Sequence, residues 1–120
     1  MLPIESMIEF IRGGALPALR TLYCDPIWYC VGLELRHGAG DDDALIVSEV
    51  QIRQFPARNP GPLLKLANAL EDRSRKLGVP LIAVSAKPKF APMLLRRGYS
   101  QVDPNKPVNA QQTWKRLLDA

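Results

Sequence analysis

The stretch that decides the fold runs from residue 44 to residue 102 and reads ALIVSEVQIRQFPARNPGPLLKLANALEDRSRKLGVPLIAVSAKPKFAPMLLRRGYSQV. It begins with an alternating segment and continues through a loop rich in proline and glycine into a long amphipathic segment. A short apolar run and a second, shorter amphipathic segment follow. This order predicts a strand, a loop, a helix, a strand and a helix. We therefore expect an α/β (α+β) domain with a mixed sheet.

The long helix is predicted over residues 62–77, where the apolar residues recur at helical spacing. Either Pro60 or Pro62 suits its first turn, and Gly78 suits the position after its end. Its apolar face consists of Leu63, Leu66, Ala67, Leu70 and Leu77.

Shorter elements follow this helix. Residues 79–85 form an apolar run bounded by breakers, which is typical of a strand buried on both faces. Residues 92–97 indicate a short helix that ends at Gly98. Residues 99–102 suit another strand, whereas residues 111–120 fit a helix or a strand.

The first half of the chain predicts one helix and a β region. Residues 4–12 form an amphipathic pattern that Gly13 and Gly14 end. A glycine- and aspartate-rich turn over residues 37–43 separates two segments rich in strand-forming residues, which predicts a β-hairpin. The helix carries Ile4, Met7, Ile8 and Ile11 on one face, and the strands are expected over residues 18–23, 27–36 and 44–53.

Length and composition limit the class of protein. With 120 residues, 47% of them hydrophobic and 23% charged, the chain is expected to form one domain over residues 1–120. No run of 18 apolar residues occurs, so the sequence predicts no membrane span. The first ten residues lack the basic and apolar stretches of a secretion signal, and a cytoplasmic location is therefore expected.

The net charge of +4 is unevenly distributed, because residues 61–100 alone contain eight basic and two acidic side chains. Such a region suits a phosphate-bearing cofactor, a nucleic acid or an acidic protein surface, or else consists of solvated helix faces. We expect no nucleic acid, because no recognised motif or interleaved aromatic residue accompanies the basic residues. The six of the eight that a nucleic-acid site would use are Lys65, Arg73, Arg75, Lys76, Lys87 and Lys89.

Metal and disulfide chemistry are not expected. Cys24 and Cys30 are the only cysteines, and no His or Cys pair lies nearby at zinc spacing, so both are predicted to be small buried apolar residues. His37 is interpreted as a loop residue. The acidic run over residues 41–43 is interpreted as a solvated turn rather than a metal site. The large aromatic residues Trp28, Tyr29 and Trp114 are expected to anchor the core or an interface.

The order of elements over residues 44–102, about half of the chain, resembles the GNAT superfamily of acyl-CoA-dependent N-acyltransferases. The cofactor motif of that family is Gln/Arg-x-x-Gly-x-Gly/Ala, placed between its fourth strand and a long helix. Arg58, Gly61 and Leu63 occupy the three positions, of which two match. A second family motif, Leu-Tyr-x-x-x-Gly-Phe, corresponds here to Met93, Leu94, Gly98 and Tyr99.

The resemblance implies a GNAT-like, mostly antiparallel twisted sheet flanked by helices, and acetyl-CoA as the acyl donor to an amine. Backbone N–H groups at the start of the long helix would hold the pyrophosphate. Glu49 would act as the base, and a backbone N–H near residues 52–54 would stabilise the thioester oxygen. Glu49 alternatively is a solvated strand residue. The residues expected to bind the cofactor are Ile52, Arg53, Gln54, Arg58, Asn59, Gly61, Leu63 and Leu64.

Departures from the family pattern favour an alternative, a catalytically inactive GNAT-fold module with a structural or protein-interaction role. Pro60 and Pro62 lack the N–H that a pyrophosphate would need, and Leu63 adds bulk. Lys87 stands in place of a family asparagine, and Leu94 in place of the tyrosine that often protonates the leaving thiolate. The N-terminal part is also shorter than in the family. Such a module is expected to form a homo-oligomer or to bind a protein partner.

The remaining basic residues leave two interpretations open. Arg96 and Arg97 could bind the phosphates of CoA, or they could complement the negative end of the preceding helix.

Overall fold

The described part of the computed structural model comprises residues 3–14, 21–25, 29–36, 43–52 and 61–117. Within these residues the protein has three α-helices and one six-stranded mixed sheet, as the sequence predicts for an α+β class. The helices are α1 (Pro3–Gly13), α2 (Gly61–Leu77) and α3 (Ala91–Arg96). The strands are β1 (Thr21–Asp25), β2 (Tyr29–Arg36), β3 (Ala44–Ile52), β4 (Leu81–Ala86), β5 (Ser100–Gln101) and β6 (Gln112–Arg116).

The sheet has the order β1-β2-β3-β4-β6-β5. All neighbouring strands are antiparallel except β3 and β4, which are parallel. The chain passes from β3 to β4 through α2, because parallel neighbours need a crossover connection. The predicted hairpin is confirmed as β2 and β3, although its turn over residues 37–42 lies outside the described residues.

The core lies between one face of the sheet and the helices. Ile11 of α1, Leu66 of α2 and Trp114 of β6 are at most 1% exposed. Val31 and Leu33 of β2 are fully buried in the same cluster. Trp114 is thus confirmed as a core residue. Tyr29 is half-buried and packs against this cluster, whereas Trp28 lies outside the described residues.

Several element boundaries differ slightly from the predicted ones. The long helix begins one residue earlier, at Gly61, and the ambiguous C-terminal segment forms the strand β6. The predicted strand over residues 79–85 corresponds to β4, but the prediction that this strand is buried on both faces is wrong. Only Leu81 of β4 is fully buried, and Ser85 is exposed, because the strand borders a cavity.

The prediction that both cysteines are buried is also wrong. Cys24 is exposed and Cys30 is half-buried. Their neighbours Tyr23 and Val31 pack into the core, and side chains alternate between the two faces of a strand. The cysteines therefore lie on the opposite face of the sheet.

Both α2 and α3 end in the same hydrogen-bonded turn. After α2, Gly78 N–H donates to the carbonyl of Arg75 (3.1 Å), and Val79 N–H donates to that of Ser74 (3.1 Å). This is the Schellman motif, in which the residue after the helix adopts a left-handed backbone. Gly78 has φ of +69° and Gly98, after α3, has φ of +86°. The predicted helix ends are therefore confirmed, and each turn directs the chain straight into a strand.

The turn after α2 provides a direct test of this backbone requirement. Gly78→Ala should destabilise the protein by about 1 kcal/mol, because an L side chain disfavours a positive φ even where space is open. Gly13→Ala is the matched control, since a Cβ there also meets nothing within 4 Å but φ is not positive. The control should leave the free energy of unfolding unchanged or slightly higher. Equal urea-denaturation midpoints for the two variants would contradict the prediction.

Candidate functional site

The most distinctive feature of the sheet is the place where its two parallel strands separate. β3 and β4 pair only through Leu45–Leu81, Ile46–Ile82 and Val47–Ala83. β3 continues to Ile52 and β4 to Ala86 without further pairing between them. The sheet is therefore open at the carboxyl ends of these two strands.

Each separating strand carries an extra residue at this point. In β3, Ser48 lies between two residues that pair with consecutive positions of β2, so it forms a β-bulge. In β4, the pairing with β6 shifts between Ala83 and Ala86, and Ser85 within this interval has φ of +51°. A serine in this backbone region is uncommon. The bulges increase local twist and bending, which accounts for the divergence of the strands.

The gap between the strands forms a cavity of about 420 Å³. Val50 of β3 and Val84 of β4 lie on its two sides, Leu63 and Ala67 of α2 cover it, and Met93 of α3 contributes a further wall. The size is within the range of roughly 300–1,000 Å³ that small-molecule sites occupy. Because Leu63 is the third residue of α2, the cavity reaches the N-terminal turn of this helix.

The cavity walls are largely apolar, with a few polar groups. The polar side chains of the described lining are Ser48, Ser85, Lys87, Tyr99 and Gln111. Among the described lining residues there is no carboxylate, imidazole or thiol. These groups can orient a ligand by hydrogen bonds or attract an anion, but they include no carboxylate or imidazole that could act as a general base.

A buried ion pair fixes one wall of this cavity. The Glu71 side chain of α2 is 6% exposed and accepts two hydrogen bonds from Arg97, each of 2.8 Å. The Tyr99 hydroxyl donates a third, of 3.1 Å, to the same carboxylate. Arg97 also donates to Asn68, and its carbonyl accepts from the Arg116 guanidinium at 3.1 Å. The turn after α3 is thereby attached to both α2 and β6.

The ionisation of this cluster follows from its burial and its charges. The pKa of Tyr99 is raised well above its ordinary value of 10.0 by burial and by the negative charge of Glu71. The pKa of Arg97 is raised chiefly by its hydrogen bonds to Glu71. Tyr99 therefore stays protonated, and Arg97 stays charged and is held by Glu71. Arg97 lies at the C-terminal end of α3 and directs its guanidinium to Glu71; the interpretations of Arg96 and Arg97 as residues that complement the helix end or bind a phosphate stay predictions.

Only some of the predicted site residues lie in the described part of the structure. Glu49 is placed by its backbone, opposite Gly32 and directly after the bulge at Ser48, but its side chain is outside the described ones. The same holds for Ile52 at the end of β3. Outside the described residues altogether lie Arg53, Gln54, Arg58, Asn59, Pro60 and the acidic residues Asp41 and Asp42, together with His37.

The described residues at the start of α2 divide into two groups. Gly61 is the first residue of the helix, and Leu63 lines the cavity. Leu64, in contrast, is 37% exposed and is not among the described lining residues, so the structure does not bring it to the cavity. Of the other family positions, Leu94 and Lys87 both line the cavity.

Other basic residues of α2 are engaged in contacts within the protein. Arg73 donates to the carbonyls of Ile11 and Arg12, at 3.4 and 3.1 Å, and so fastens α2 to the end of α1. Arg75 forms an exposed ion pair with Asp72. The excess of positive charge in this half of the chain therefore serves partly to hold the helices together.

The Glu71 cluster is the feature that sequence reasoning missed. Glu71 is four residues after Ala67 and three before Ser74, and all three are buried on the same side of α2. A charged residue within an apolar helical stripe signals a buried partner. The partner, however, is 26 residues away in the sequence, so spacing alone cannot identify it.

The described residues show no sign of a metal centre or of a membrane-spanning helix, and the sequence matches no known family model. Within the described ranges, no three His, Cys, Asp or Glu side chains come together in a way that could hold a metal ion. None of the helices in the described part has the length and apolarity needed to cross a membrane. Comparison of the chain with known protein-family models and with curated proteins finds no match.

The raised pKa of Tyr99 predicts a specific dependence of stability on pH. Above pH 10 the unfolded chain releases the Tyr99 proton while the folded protein retains it, so stability present below pH 10 is lost as the pH rises. The loss attributable to this group is about 1.4 kcal/mol per pH unit. Tyr99→Phe should remove it, giving a shallower decline in the free energy of unfolding between about pH 10 and 11. Identical slopes for the variant and the wild type would exclude the contribution.

Proposed function

We propose that the protein is a GNAT-like, acyl-CoA-dependent N-acetyltransferase that binds the pantetheine arm of acetyl-CoA between β3 and β4. The observation that carries the proposal is the cavity at the carboxyl ends of two parallel strands that separate after Val47 and Ala83. Ligands of α/β sheets bind at such carboxyl ends, next to the N-terminus of the crossover helix. The succession of strand, helix, strand and short helix around the cavity supports the resemblance.

The cavity suits the chemistry of a pantetheine arm. That arm is a narrow chain of apolar carbons interrupted by two amides, and it ends in the thioester. Apolar walls from Val50, Leu63 and Met93 can cover its carbons. Strand edges offer N–H and carbonyl groups to an extended amide-bearing chain, as in peptide recognition by strand addition.

Positive potential at the mouth supports binding of the phosphates. α2 has 17 residues, so its macrodipole places a partial positive charge near Gly61. Lys87, an exposed residue after β4, adds a full charge at the cavity rim. Pro62 lacks an N–H, so the helix field and Lys87 must contribute more here than backbone hydrogen bonds.

Acyl transfer needs a base and a stabilised oxyanion. The amine acceptor has a pKa of roughly 10.4 if it is of the lysine type, and it must lose a proton to attack the thioester carbon. We assign this proton to the carboxylate of Glu49, whose backbone adjoins the Ser48 bulge in the cavity wall. A backbone N–H near Ile52 would stabilise the thioester oxygen. The leaving thiolate takes its proton from solvent, since Leu94 has none and Tyr99 retains its own.

A second candidate is a catalytically inactive GNAT-like module that binds a protein partner or forms a homo-oligomer and does not bind CoA. The observation in its favour is that the described cavity lining contains no carboxylate or imidazole. Glu49 is then a strand residue without a chemical role. The two candidates differ on the binding of CoA as well as on turnover, so binding and activity must be measured separately.

Filling the cavity tests the proposed binding site. Ala67 is 8% exposed and faces the cavity from α2, so Ala67→Phe should occupy the space needed by the pantetheine arm. Titration calorimetry should show micromolar affinity of the wild type for acetyl-CoA and a loss of at least about tenfold in the variant. Leu95→Phe, at a 50% exposed position of α3 outside the described lining, is the matched control and should bind like the wild type.

Two results would contradict the site assignment. Equal affinity of Ala67→Phe and the wild type would show that acetyl-CoA binds elsewhere. Absence of binding to the wild type at millimolar acetyl-CoA would remove the acyltransferase proposal itself. Circular dichroism of each variant ensures that a loss of affinity is not a loss of folding.

Substitution of Glu49 separates the enzyme from the inactive module. Release of free CoA thiol is followed in a screen of polyamines, amino sugars and lysine-containing peptides. Glu49→Gln should bind acetyl-CoA normally and lose about 100-fold or more in transfer rate, which is the usual contribution of a general base. Glu34→Gln, a half-buried glutamate of the neighbouring β2, is the control and should retain activity. Full activity in Glu49→Gln would exclude the assigned base, whereas a wild type that neither binds CoA nor transfers an acyl group favours the inactive module.

A further inference from the structure

The only two cysteines of the chain face each other directly across two strands. Cys24 of β1 is the register partner of Cys30 of β2 in an antiparallel pair. Side chains of directly opposite residues lie on the same face of a sheet, with Cβ atoms about 4.5–5.5 Å apart. The hairpin therefore brings the two thiols together, although neither residue belongs to the cavity lining that the structure describes.

The backbone spacing of this pair suits a disulfide. Directly opposite residues of antiparallel strands have Cα atoms about 4.5 or 5.5 Å apart, depending on the hydrogen-bonding pattern of the pair. Both distances fall within the roughly 4.4–6.8 Å found across disulfides. The Cβ separation of such pairs exceeds the disulfide mean of about 3.8 Å, so closure needs a small local adjustment. A bond formed under this condition is more easily reduced than a relaxed one.

The pair is also accessible to small reagents. Cys24 is exposed and Cys30 half-buried, and both lie on the sheet face away from the core cluster that contains Val31 and Leu33. A buried structural cysteine would be inert, whereas an exposed thiol can reach a reagent in solution. Because Cys24 is the more exposed of the two, its thiol would react first with a small disulfide, and the Cys30 thiol would react second.

We propose that Cys24 and Cys30 form a reversible dithiol site that low-molecular-weight disulfides of the glutathione type oxidise. The Cys24 thiolate attacks the small disulfide, forms a mixed disulfide and releases one small thiol. The Cys30 thiolate then attacks the Cys24 sulfur, forms the Cys24–Cys30 bond and releases the second small thiol. Two cysteine sulfurs are oxidised, one small disulfide is reduced, and the two cysteine protons end on the released thiols.

The position of the pair gives this modification a structural consequence. Cys30 pairs on its other side with Gln51 of β3, and its neighbour Tyr29 pairs with Ile52 at the end of that strand. The bond would thus tie β1 to β2 beside the portion of β3 that has left β4. The dithiol site is independent of the proposed acyltransferase activity, because it depends only on the register of β1 and β2.

The test is equilibration of the full chain with mixtures of oxidised and reduced glutathione, followed by acid quenching and intact-mass measurement. The expected product is monomeric and lighter by two hydrogen atoms, with both thiols lost to Ellman's reagent. Mild acid then cleaves the Asp25–Pro26 bond between the cysteines. Mild acid also cleaves the Asp103–Pro104 bond. Fragments 1–25 and 26–103 should remain linked until a reductant is added.

Variants test the two steps. Cys30→Ser should accumulate the glutathione adduct on Cys24, because the resolving thiol is absent. Cys24→Ser should form its adduct more slowly, because Cys30 is less exposed. Adducts on both cysteines of the wild type, or disulfide-linked dimers, in place of the internal bond would overturn the proposal.

The same equilibrium in denaturant shows whether the fold brings the thiols together. The native hairpin should favour the internal bond by about tenfold over the unfolded chain, since a disulfide compatible with the native structure stabilises it by linkage. An equilibrium constant for the internal disulfide that is larger in the native state than in the unfolded chain supports the proposal. An equilibrium constant for the native protein that is equal to or below that of the unfolded chain would overturn it, because the strands would then hold the thiols apart.

Discussion

The early end of the pairing between β3 and β4 is the constraint on which the rest of the structure depends. Three parallel residue pairs hold the two halves of the sheet together, ending at Val47 and Ala83. Beyond them, hydrogen bonds between the strands give way to a cavity of about 420 Å³. A longer pairing would close this cavity, and a shorter one would leave little to join the β1–β2–β3 half to the β4–β6–β5 half. The candidate site is thus a consequence of how the sheet is assembled.

Such an opening must be supported from outside the sheet, and the Glu71 cluster supplies that support. Burying a carboxylate is costly unless donors surround it, and Glu71 receives them from Arg97 and Tyr99. Removing one partner of a buried pair typically costs about 3–5 kcal/mol, whereas the intact pair adds little net stability. The main effect of the cluster is therefore to position α2 and the turn after α3 relative to each other, and its net contribution to the free energy of unfolding is small. It attaches the turn after α3 to α2, and both helices contribute residues to the cavity wall.

Local chemistry made much of this fold predictable. The apolar periodicity of α2 and the glycines at positions 78 and 98 were sufficient to define both helices and their ends, because each signal acts within a few residues. The burial of β4 was mispredicted, because an apolar run does not reveal that the neighbouring strand departs. Two residue pairs could not be predicted in this way. The contact of Glu71 with Arg97 arises from the tertiary fold, and that of Cys24 with Cys30 arises from the register of two strands. Of the candidate site, the position of Leu63 could be anticipated, whereas the bulge at Ser48 could not.

The backbone of β4 supplies the strongest physical argument that the cavity is a functional feature. Consecutive side chains of a regular strand point to opposite faces, yet every residue from Ala83 to Lys87 borders the cavity. The strand is irregular around Ser85, whose positive φ costs about 1 kcal/mol or more relative to an extended residue. A regular ladder with β6 would avoid that cost. Since strain of this kind persists where it serves a site, the backbone of Ser85 favours a ligand between β3 and β4 over a packing defect.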